Sequence, residues 1–317
     1  MKKMCVIASI VWIIMLLLPL SVIGKESEIP KKQVVAQVSA PIKESKQVFK
    51  VLDKESGKIT EISAEDYIFC VVAAEMPALY NKEALKAQAV AAYTFALKRS
   101  AENKDEDYDI TTDYTKDQSF ITLDKAKENW GENAEEYTEK IKSAVDETKG
   151  YKITYNNEPI LAVYHAVSSG KTSGSEDVWG VPLAYLKPVL SEWDKLYENY
   201  ISEAVFTTEE IKEKFSDVQF TEEEEKYFTA PKHTESSAVK EINVCGKVFS
   251  SDEIREKLNL RSTNFEVNYT DGKFKFTVYG YGHGVGMSQY GAECMAKKGS
   301  DFKEILTYYY TDCKIEK

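Results

Sequence analysis

One segment, residues 63–99, constrains the fold of this chain most, because it predicts two helices with a carboxylate at the break. Its sequence is SAEDYIFCVVAAEMPALYNKEALKAQAVAAYTFALKR. Ser63 and Asp66 resemble a capping box at the start of the first helix. Pro77 disfavours a helical conformation at the residue before it, and Asn81 has a side chain suited to begin the second helix. We therefore expect two helices separated by a short turn.

Glu75 shares a face of the first predicted helix with apolar residues. Ile68, Val71 and Val72 precede it by seven, four and three positions, a spacing that places side chains on one side of an α-helix. Burial beside these residues and the negative end of the helix dipole both disfavour a charged carboxylate, so we expect a raised pKa at Glu75. A carboxyl that keeps its proton near neutral pH is suited to general acid catalysis. The alternative is a glutamate that points into solvent.

The second predicted helix has an inner face made mostly of small side chains. Alanine dominates positions that recur at helical spacing, so this helix can pack closely against a neighbour. Such packing would hold Glu75 against a shaped wall. The residues of this face are Leu85, Gln88, Ala89, Ala92 and Ala96.

The N-terminus has the pattern of a membrane anchor. Lys2 and Lys3 precede twenty residues without a charge, which is long enough to span a bilayer with the N-terminus in the cytoplasm. A cleaved signal peptide is the alternative, but the small residues that resemble a cleavage site, at 38–40, lie well beyond the apolar run. The expected segments are a cytoplasmic tip at 1–3, a transmembrane anchor at 4–23, a polar tether at 24–47 and an extracytoplasmic domain at 48–317.

Beyond the anchor, the order of elements predicts an α+β fold of mixed helices and antiparallel hairpins. Alternating apolar residues flank turn sequences such as Asp271-Gly272, which favour hairpins. The acidic, polar stretch at about 191–250 is interpreted as an inserted surface subdomain. Hairpins are predicted at 48–62, 151–167 and 265–279, and helices at 124–149, 208–215 and 251–258.

The net charge of −11 at pH 7 narrows the choice of partners. No basic patch is visible in the sequence, so nucleic acid is not predicted as a partner. The acidic total would also repel anionic polymers of a cell wall. Attraction to a wall must therefore come from a local site.

The spacing of cysteine and histidine predicts no metal site and no cofactor. The five cysteines, at positions 5, 70, 245, 294 and 313, match no zinc motif. His165 has no second His and no Cys near it in the sequence, whereas a zinc site needs three or four such ligands. The sequence does not decide between free thiols and a disulfide at Cys294 and Cys313.

Three further stretches contain candidate site residues. The chain reads HAVSSGKTSGSEDVW at 165–179, PLAYLKP at 182–188 and GHGVGMSQYGA at 282–292. Tyr185 and Lys187 stand two apart, so an extended segment would present an aromatic face and a cation side by side to a sugar. The three alternate glycines of the last stretch allow another molecule to approach His283 and Gln289.

Together with the AEMP and EALKAQAVAA runs within 74–92, these stretches resemble the family of stage II sporulation protein D and the amidase enhancers. The resemblance covers most of 48–317. It implies a membrane-anchored lytic transglycosylase, a lyase that cleaves the bond between N-acetylmuramic acid and N-acetylglucosamine in peptidoglycan and leaves an anhydro product. It also implies a role in engulfment during endospore formation, beside a cell-wall amidase and a multispanning membrane protein, on the mother-cell side of the septum.

The resemblance assigns roles to individual residues. Glu75 would act first as acid and then as base, because in such enzymes the C6 hydroxyl of the sugar itself attacks. Tyr93 stands where the family usually has Arg, and Ala166 and Ser169 stand where it usually has Ser and Gly. The residues expected to contact the glycan are Lys86, Gln88, Tyr93, Tyr185, Lys187, His283 and Gln289.

Two other functions stay open on the sequence alone. A non-catalytic module that binds glycan strands and stimulates a cell-wall amidase would carry the same motifs. A cysteine or serine peptidase would need a reactive thiol or hydroxyl near His165 or His283.

Overall fold

The computed structural model describes residues 47–317. The predicted cytoplasmic tip and anchor, and the tether apart from its last residue, lie outside this range. Among the described residues, no helix is both long and apolar enough to cross a membrane. Helices alternate with small, mostly antiparallel sheets, so the fold is a mixed α and β fold as predicted.

Helix α1 spans Ala64–Glu75 and forms where the sequence predicts it. The Ser63 side chain accepts a hydrogen bond from the Asp66 N–H at its start. Met76 is extended, with φ of −125° and ψ of 137°, because the following Pro77 disfavours the helical region. The predicted apolar face of α1 is buried, which confirms the helical period read from the sequence.

Helix α2 spans Lys82–Glu102 and is also confirmed. Asn81 caps it by accepting a hydrogen bond from the Glu83 N–H. All five residues of its predicted inner face are buried. The small side chains allow α2 to pack against α1 on one side and against the C-terminal helices on another.

A three-stranded sheet leads into α1. Strand β1, Val48–Leu52, pairs antiparallel with β2, Ile59–Ser63, which confirms the hairpin predicted at 48–62. Strand β3, Ile110–Thr111, adds to β1 in parallel. Phe49 and Val51 point from β1 into the core.

The single helix predicted at 124–149 is wrong, because the chain forms two helices there. Helix α3 spans Leu123–Trp130, and α4 spans Ala134–Glu147. Gly131 between them has a φ of 55°, a conformation that glycine adopts without strain and that cannot continue an α-helix. The helical period of the sequence runs across this glycine and so concealed the break.

The predicted strand at 160–167 is largely wrong. Asn156 and Asn157 form the expected turn, with φ of 53° and 67°, but it joins β4, Lys152–Tyr155, to a strand of two residues, β5, Glu158–Pro159. The Val163 N–H then donates to the Leu161 carbonyl in a tight turn that interrupts the extended run. Only Tyr164–His165 forms a strand, β6, and its partner is β13, Met287–Ser288, in parallel.

The second half of the chain adds two three-stranded sheets. The first has the order Lys247–Ser250 (β10), Val239–Val244 (β9), Phe228–His233 (β8), and the second has the order Phe265–Thr270 (β11), Lys273–Tyr279 (β12), Ile201–Thr207 (β7). The predicted helices at 208–215 and 251–258 and the hairpin at 265–279 are confirmed. The remaining elements are α5 Ser175–Trp179, α6 Thr208–Lys214, α7 Ser251–Leu258, α8 Gln289–Lys297, α9 Phe302–Tyr309 and β14 Lys314–Glu316.

Buried apolar residues form two clusters. The first contains residues of α1, α2, α4, α8 and α9. The second contains residues from Ile211 to Val278, including Phe265, Phe274 and Phe276 of the last hairpin. This second core therefore draws on residues beyond 250. The inserted subdomain at about 191–250 stays a prediction.

The cysteines of the described part are free thiols. Cys70 is buried, and Cys245, Cys294 and Cys313 are partly buried. The structure therefore contains no disulfide between Cys294 and Cys313.

Candidate active site

Glu75 is the last residue of α1, next to the core residue Met76. Its side chain is partly buried, and its Oε1 accepts a hydrogen bond of 2.7 Å from the Ser119 N–H. The hydroxyls of Ser119 and Tyr164 also act on the carboxyl and favour its charged form. Burial raises the pKa of Glu75 above its ordinary value, and the bonds from Ser119 and Tyr164 offset only part of the rise. The direction of this pKa change is the one predicted from the sequence.

A chain of hydrogen bonds leads to the Glu75 carboxyl from the interior. The Tyr67 hydroxyl donates to Gln118 Oε1 over 3.3 Å, and Gln118 Nε2 donates to the Tyr164 hydroxyl over 2.9 Å. Tyr67 and Gln118 are buried. The Tyr164 hydroxyl, at the end of the chain, interacts with the Glu75 carboxyl.

The loop that carries Gln118 and Ser119 is fastened at the preceding residue. Asp117 Oδ1 lies 2.7 Å from Arg99 Nε near the end of α2, and its Oδ2 accepts a 2.8 Å hydrogen bond from the Thr111 N–H. Its side chain is only 1% exposed. Three consecutive residues thus make three different contacts. Asp117 binds Arg99 of α2, Gln118 binds Tyr67 and Tyr164, and Ser119 binds Glu75.

The sequence interpretation missed Gln118, Ser119 and Tyr164. Ser119 is 44 positions from Glu75, and Gln118 is 46 positions from Tyr164, so no helical or strand period relates them. The signal in the sequence was weak. It consisted of a polar Asp-Gln-Ser run after a charged loop and a tyrosine in front of His165.

Lys86 is already paired. Its Nζ lies 2.6 Å from Glu83 Oε1 and 2.7 Å from Glu147 Oε2, and its side chain is 14% exposed. Tyr93, seven residues further along α2, is partly buried and packs edge-on against Phe49 at 6.3 Å between ring centroids. In this structure both side chains bind protein groups, and their predicted contacts with a glycan stay predictions.

Gln88 and Gln289 pair inside the protein. Gln289 Nε2 donates to Gln88 Oε1 over 3.2 Å, which joins α2 to the start of α8. Gln88 is fully buried and Gln289 is 5% exposed. The Gln88 Nε2 group is buried without a hydrogen-bond partner. The arrangement gives the pair a packing role, and their predicted contact with substrate stays a prediction.

The extended segment predicted around Tyr185 and Lys187 is wrong, because the Leu186 N–H donates to the Leu183 carbonyl in a turn. The Tyr185 hydroxyl accepts a 3.1 Å hydrogen bond from the Leu161 N–H, and its ring lies 5.5 Å from that of Tyr155. Lys187 is exposed, with its Nζ 3.8 Å from Asp312. No hydrogen bond or ion pair joins either residue to Glu75 in the described chain.

The glycine-rich loop before α8 lies directly against β6. A Cβ atom on Gly282 would fall 2.8 Å from the His165 Cβ, and one on Gly286 would fall 2.1 Å from the Val163 carbonyl oxygen. Both glycines have positive φ, at 109° and 75°. Only glycine satisfies the close approach and the conformation together at these positions.

His283 and His165 are neutral packed rings. His283 Nδ1 accepts a 3.1 Å hydrogen bond from the Val285 N–H. His165 Nδ1 lies 3.1 Å from the Val285 carbonyl oxygen, and its Nε2 is buried without a partner. Burial lowers the pKa of His165 to about 3 and that of His283 to about 4.

This pair offers little support for the peptidase alternative. Within residues 47–317, neither ring hydrogen-bonds to a serine hydroxyl or a cysteine thiol. No three His, Cys, Asp or Glu side chains in the same range come together in a way that could hold a metal ion.

Asp194 is a buried carboxyl within the acidic stretch at about 191–250, and the sequence analysis did not single it out. It is fully buried. Its Oδ2 accepts from the Ser168 N–H over 2.8 Å, and its Oδ1 accepts from the Ser288 hydroxyl over 3.0 Å. It thereby ties the loop after His165 to the start of α8. Burial raises its pKa to about 6.

Comparison with known proteins gives the family. Residues 52–155 match the family model described as stage II sporulation protein. Stage II sporulation protein D of Bacillus subtilis (strain 168) is 38% identical over 262 residues, 81% of this chain and 75% of that protein. The protein of that name from Bacillus amyloliquefaciens is 36% identical over 274 residues, 85% of this chain and 78% of that protein. The chain belongs to the stage II sporulation protein D family.

A further relative is the amidase enhancer of Bacillus subtilis (strain 168). It is 24% identical over 292 residues, which is 76% of this chain and 39% of that protein. The comparisons therefore show the relationship that the sequence motifs suggested, both to stage II sporulation protein D and to the amidase enhancer. The stretch that matches the family model includes Glu75, Gln118 and Ser119, whereas Tyr164 lies nine residues beyond it.

The candidate site of this stage II sporulation protein D family member has one carboxyl at its centre. The structure brings Glu75 together with Ser119, Tyr164, Gln118 and Tyr67. It does not join Glu75 by a hydrogen bond or an ion pair to any of the seven residues predicted to bind glycan. Such an arrangement can give and take back a proton at a single position on the protein surface.

Proposed function

We propose that this chain is a peptidoglycan lytic transglycosylase that cleaves the bond between N-acetylmuramic acid and N-acetylglucosamine. The observation that supports this most is a single, partly buried carboxyl with a raised pKa at Glu75. Burial and hydrogen bonds from Ser119 and Tyr164, and not a second carboxylate, are the leading causes of that pKa change. Hydrolytic glycosidases use two carboxyl groups, one as acid and one as nucleophile or base, so a lone carboxyl fits intramolecular transfer better.

The reaction proceeds in two proton transfers through the same group. Protonated Glu75 gives its proton to the glycosidic oxygen, and the bond between that oxygen and C1 of the muramic acid breaks. The C6 hydroxyl of the same sugar bonds to C1, and the Glu75 carboxylate takes the hydroxyl proton. The products are a free N-acetylglucosamine 4-hydroxyl and a 1,6-anhydro sugar. No water is consumed, and Glu75 ends in its starting form.

The biological setting is part of the proposal, and the family membership supports it. We place the enzyme at the cell membrane, held by residues 4–23, with the folded domain outside the cytoplasm on the mother-cell side of the sporulation septum. Its partners would be glycan strands, a cell-wall amidase and a multispanning membrane protein of engulfment. The family membership supports a role in sporulation, and the partners are part of the proposal.

The test is release of anhydro-muropeptides from purified sacculi by the full chain, measured by mass spectrometry. We expect Glu75→Gln to reduce release by about a hundredfold or more while leaving folding and wall binding intact, because the amide cannot transfer a proton. Glu61→Gln is the matched control, since Glu61 is exposed on β2 away from the carboxyl network. The proposal is wrong if the wild-type chain releases no anhydro product even when a cell-wall amidase has first trimmed the peptides.

A non-catalytic module that stimulates an amidase is the second candidate, and the amidase enhancer relative supports it. Under this alternative, the chain speeds peptide release by a cell-wall amidase and produces no anhydro sugar. Glu75→Gln would then stimulate as well as the wild type. The same sacculus assay, read for amidase products, separates the two functions.

A further inference from the structure

We propose that Tyr164, oriented by Gln118 and Tyr67, is a positioning residue that holds the Glu75 carboxyl for proton transfer. The inference rests on the proposed transglycosylase function, and it adds three residues to a site in which the sequence identified a single acid. It depends on the direction of each hydrogen bond in the chain from Tyr67 to Glu75.

The chemistry of the donors and acceptors fixes those directions. An ionised carboxylate only accepts hydrogen bonds, so the Tyr164 hydroxyl must donate to Glu75. A phenol has one hydrogen, so Tyr164 can only accept from its other partner, Gln118. Gln118 must therefore turn its NH₂ group to Tyr164, at 2.9 Å, and its carbonyl to Tyr67, at 3.3 Å. Tyr67 is then the donor at the far end.

The two ends of this chain belong to one rigid element. Tyr67 and Glu75 both lie on α1, two turns apart, and Gln118 and Ser119 are adjacent in the loop that bridges them. The Ser119 N–H donates to Glu75 Oε1 over 2.7 Å, the hydroxyls of Ser119 and Tyr164 both act on the carboxyl, and we infer that Tyr164 donates to it as the end of the chain from Tyr67. Donors already in place when the proton leaves need not reorganise during the reaction, which is how fixed dipoles favour a charge that develops in a transition state.

Few other titratable groups act on this carboxyl. The phenols of Tyr67 and Tyr164 interact electrostatically with Glu75, and burial raises the pKa of both well above that of an exposed tyrosine, so both stay neutral at physiological pH. Ser119 acts on the carboxyl through both its backbone N–H and its hydroxyl. Protonation of Glu75 is thus set mainly by burial and by donors from Ser119 and Tyr164.

Tyr164→Phe in the full chain tests the proposal, because it removes the hydroxyl and keeps the ring. We expect kcat for anhydro-muropeptide release to fall about ten- to a hundredfold with little change in KM, since the bond acts on charge that develops at Glu75. We also expect the pKa of Glu75 to rise, because a donor that favours the carboxylate is lost. The alkaline limb of the pH–rate profile, where Glu75 loses its proton, then moves to higher pH.

Tyr310→Phe is the matched control. Tyr310 is also a buried tyrosine of the first core, but its hydroxyl donates to the Val163 carbonyl over 2.8 Å and does not reach Glu75. Removing it perturbs packing and one buried hydrogen bond to a similar degree. We expect it to leave the pKa of Glu75 and the shape of the pH–rate profile unchanged.

Gln118→Glu reverses the direction of the chain with little change in shape. Position 118 is buried, so the comparison is made at a pH high enough to ionise the new carboxyl; the carboxylate then only accepts, and the Tyr164 hydroxyl turns from Glu75 to residue 118. We expect kcat to fall as in Tyr164→Phe although Tyr164 is still present. Normal kcat in Gln118→Glu would overturn the assigned direction.

The readouts separate this inference from the proposed function. The pKa of Glu75 is measured without substrate, by ¹³C NMR of glutamate-labelled protein, with the signal assigned by its loss in Glu75→Gln. An unchanged pKa in Tyr164→Phe overturns the inference whether or not the chain is an enzyme. A raised pKa with unchanged kcat also overturns the positioning role. Absence of anhydro product from the wild type overturns the proposed function alone, because the NMR titration still reports the Tyr164–Glu75 bond.

Discussion

At the scale of single residues, Glu75 and Asp194 accept hydrogen bonds from neutral donors, whereas the buried Asp117 carboxyl lies beside Arg99. The leading causes of the pKa change at both Glu75 and Asp194 are burial and hydrogen bonds from neutral groups. A neighbouring cation would favour the charged form and lower the pKa, whereas hydrogen bonds from neutral groups only partly offset burial. Both carboxyls are therefore easier to protonate than exposed ones. Only Glu75 is partly exposed, so only Glu75 can meet a substrate.

Asp194 predicts a specific dependence of stability on pH. Its pKa rises from 3.8 to about 6 in the folded protein, so between these values the folded chain binds the proton more tightly than the unfolded chain. The free energy of unfolding then falls as the pH rises from about 4 to about 6, and the loss persists above that range. The difference corresponds to about 3 kcal/mol.

Urea unfolding of the wild type and of Asp194→Asn, at about pH 4 and about pH 7.5, checks this expectation. The variant does not titrate, so its stability relative to the wild type should improve by about 3 kcal/mol between the two pH values. Asp105→Asn is the control, because Asp105 is exposed and should show almost no such change. An equal pH response in both variants would mean that Asp194 titrates as an exposed aspartate.

At the scale of elements, sequence reasoning succeeded where the signal is local. The N-caps Ser63 and Asn81 and the stop at Pro77 lie within a few residues of the helix ends they define, so α1 and α2 were predictable. The break at Gly131 was missed because a helical period can continue through a glycine. Strand β6 was misjudged because its partner, β13, comes more than 120 residues later.

The candidate site divides in the same way. Glu75 was found because three apolar residues on its own helix mark its face. The sequence did not reveal Gln118, Ser119 and Tyr164, because they lie on a loop and a strand whose positions beside Glu75 depend on the whole fold. Asp194 was not singled out, because composition averaged over 191–250 cannot show that one acid in an acidic stretch is buried.

The loop that carries Gln118 and Ser119 depends on the Arg99–Asp117 pair. Asp117→Asn removes the charge from a side chain that is 1% exposed and weakens both its 2.7 Å contact with Arg99 and the bond from the Thr111 N–H. Arg99 is itself 26% exposed, so we expect a loss of about 1–3 kcal/mol in stability, less than for a fully buried pair. We also expect faster hydrogen exchange at the Ser119 amide, because its loop opens more often.

Glu102→Gln provides the matched control, since Glu102 binds the same arginine at 2.7 Å from a more exposed position. We expect it to change stability by less than about 0.5 kcal/mol and to leave exchange at Ser119 unaltered. Equal exchange rates in Asp117→Asn and in the wild type would show that the loop is fastened by other contacts. Urea unfolding and amide exchange measured by mass spectrometry together decide the matter.

At the scale of the whole molecule, charge and the proposed substrate act against each other. The chain has 52 acidic and 41 basic residues and a net charge of −11, so it carries a negative field toward any anionic wall polymer. The candidate site, in contrast, is lined by neutral donors around one carboxyl that is easily protonated. Binding to the glycan itself should therefore depend little on salt, whereas approach to a wall that bears anionic polymers should be opposed at low salt.

Binding of the full chain to two preparations of sacculi tests this separation, one with covalent anionic polymers intact and one stripped of them. Raising the ionic strength from about 10 mM to about 150 mM shortens the screening length from about 30 Å to about 8 Å. We expect the apparent Kd for the polymer-bearing wall to fall about two- to fivefold, because repulsion between like charges is screened. For the stripped wall it should change by less than about twofold. Weaker binding to the polymer-bearing wall at high salt would show instead that a local cationic surface attracts those polymers strongly enough to outweigh the net charge.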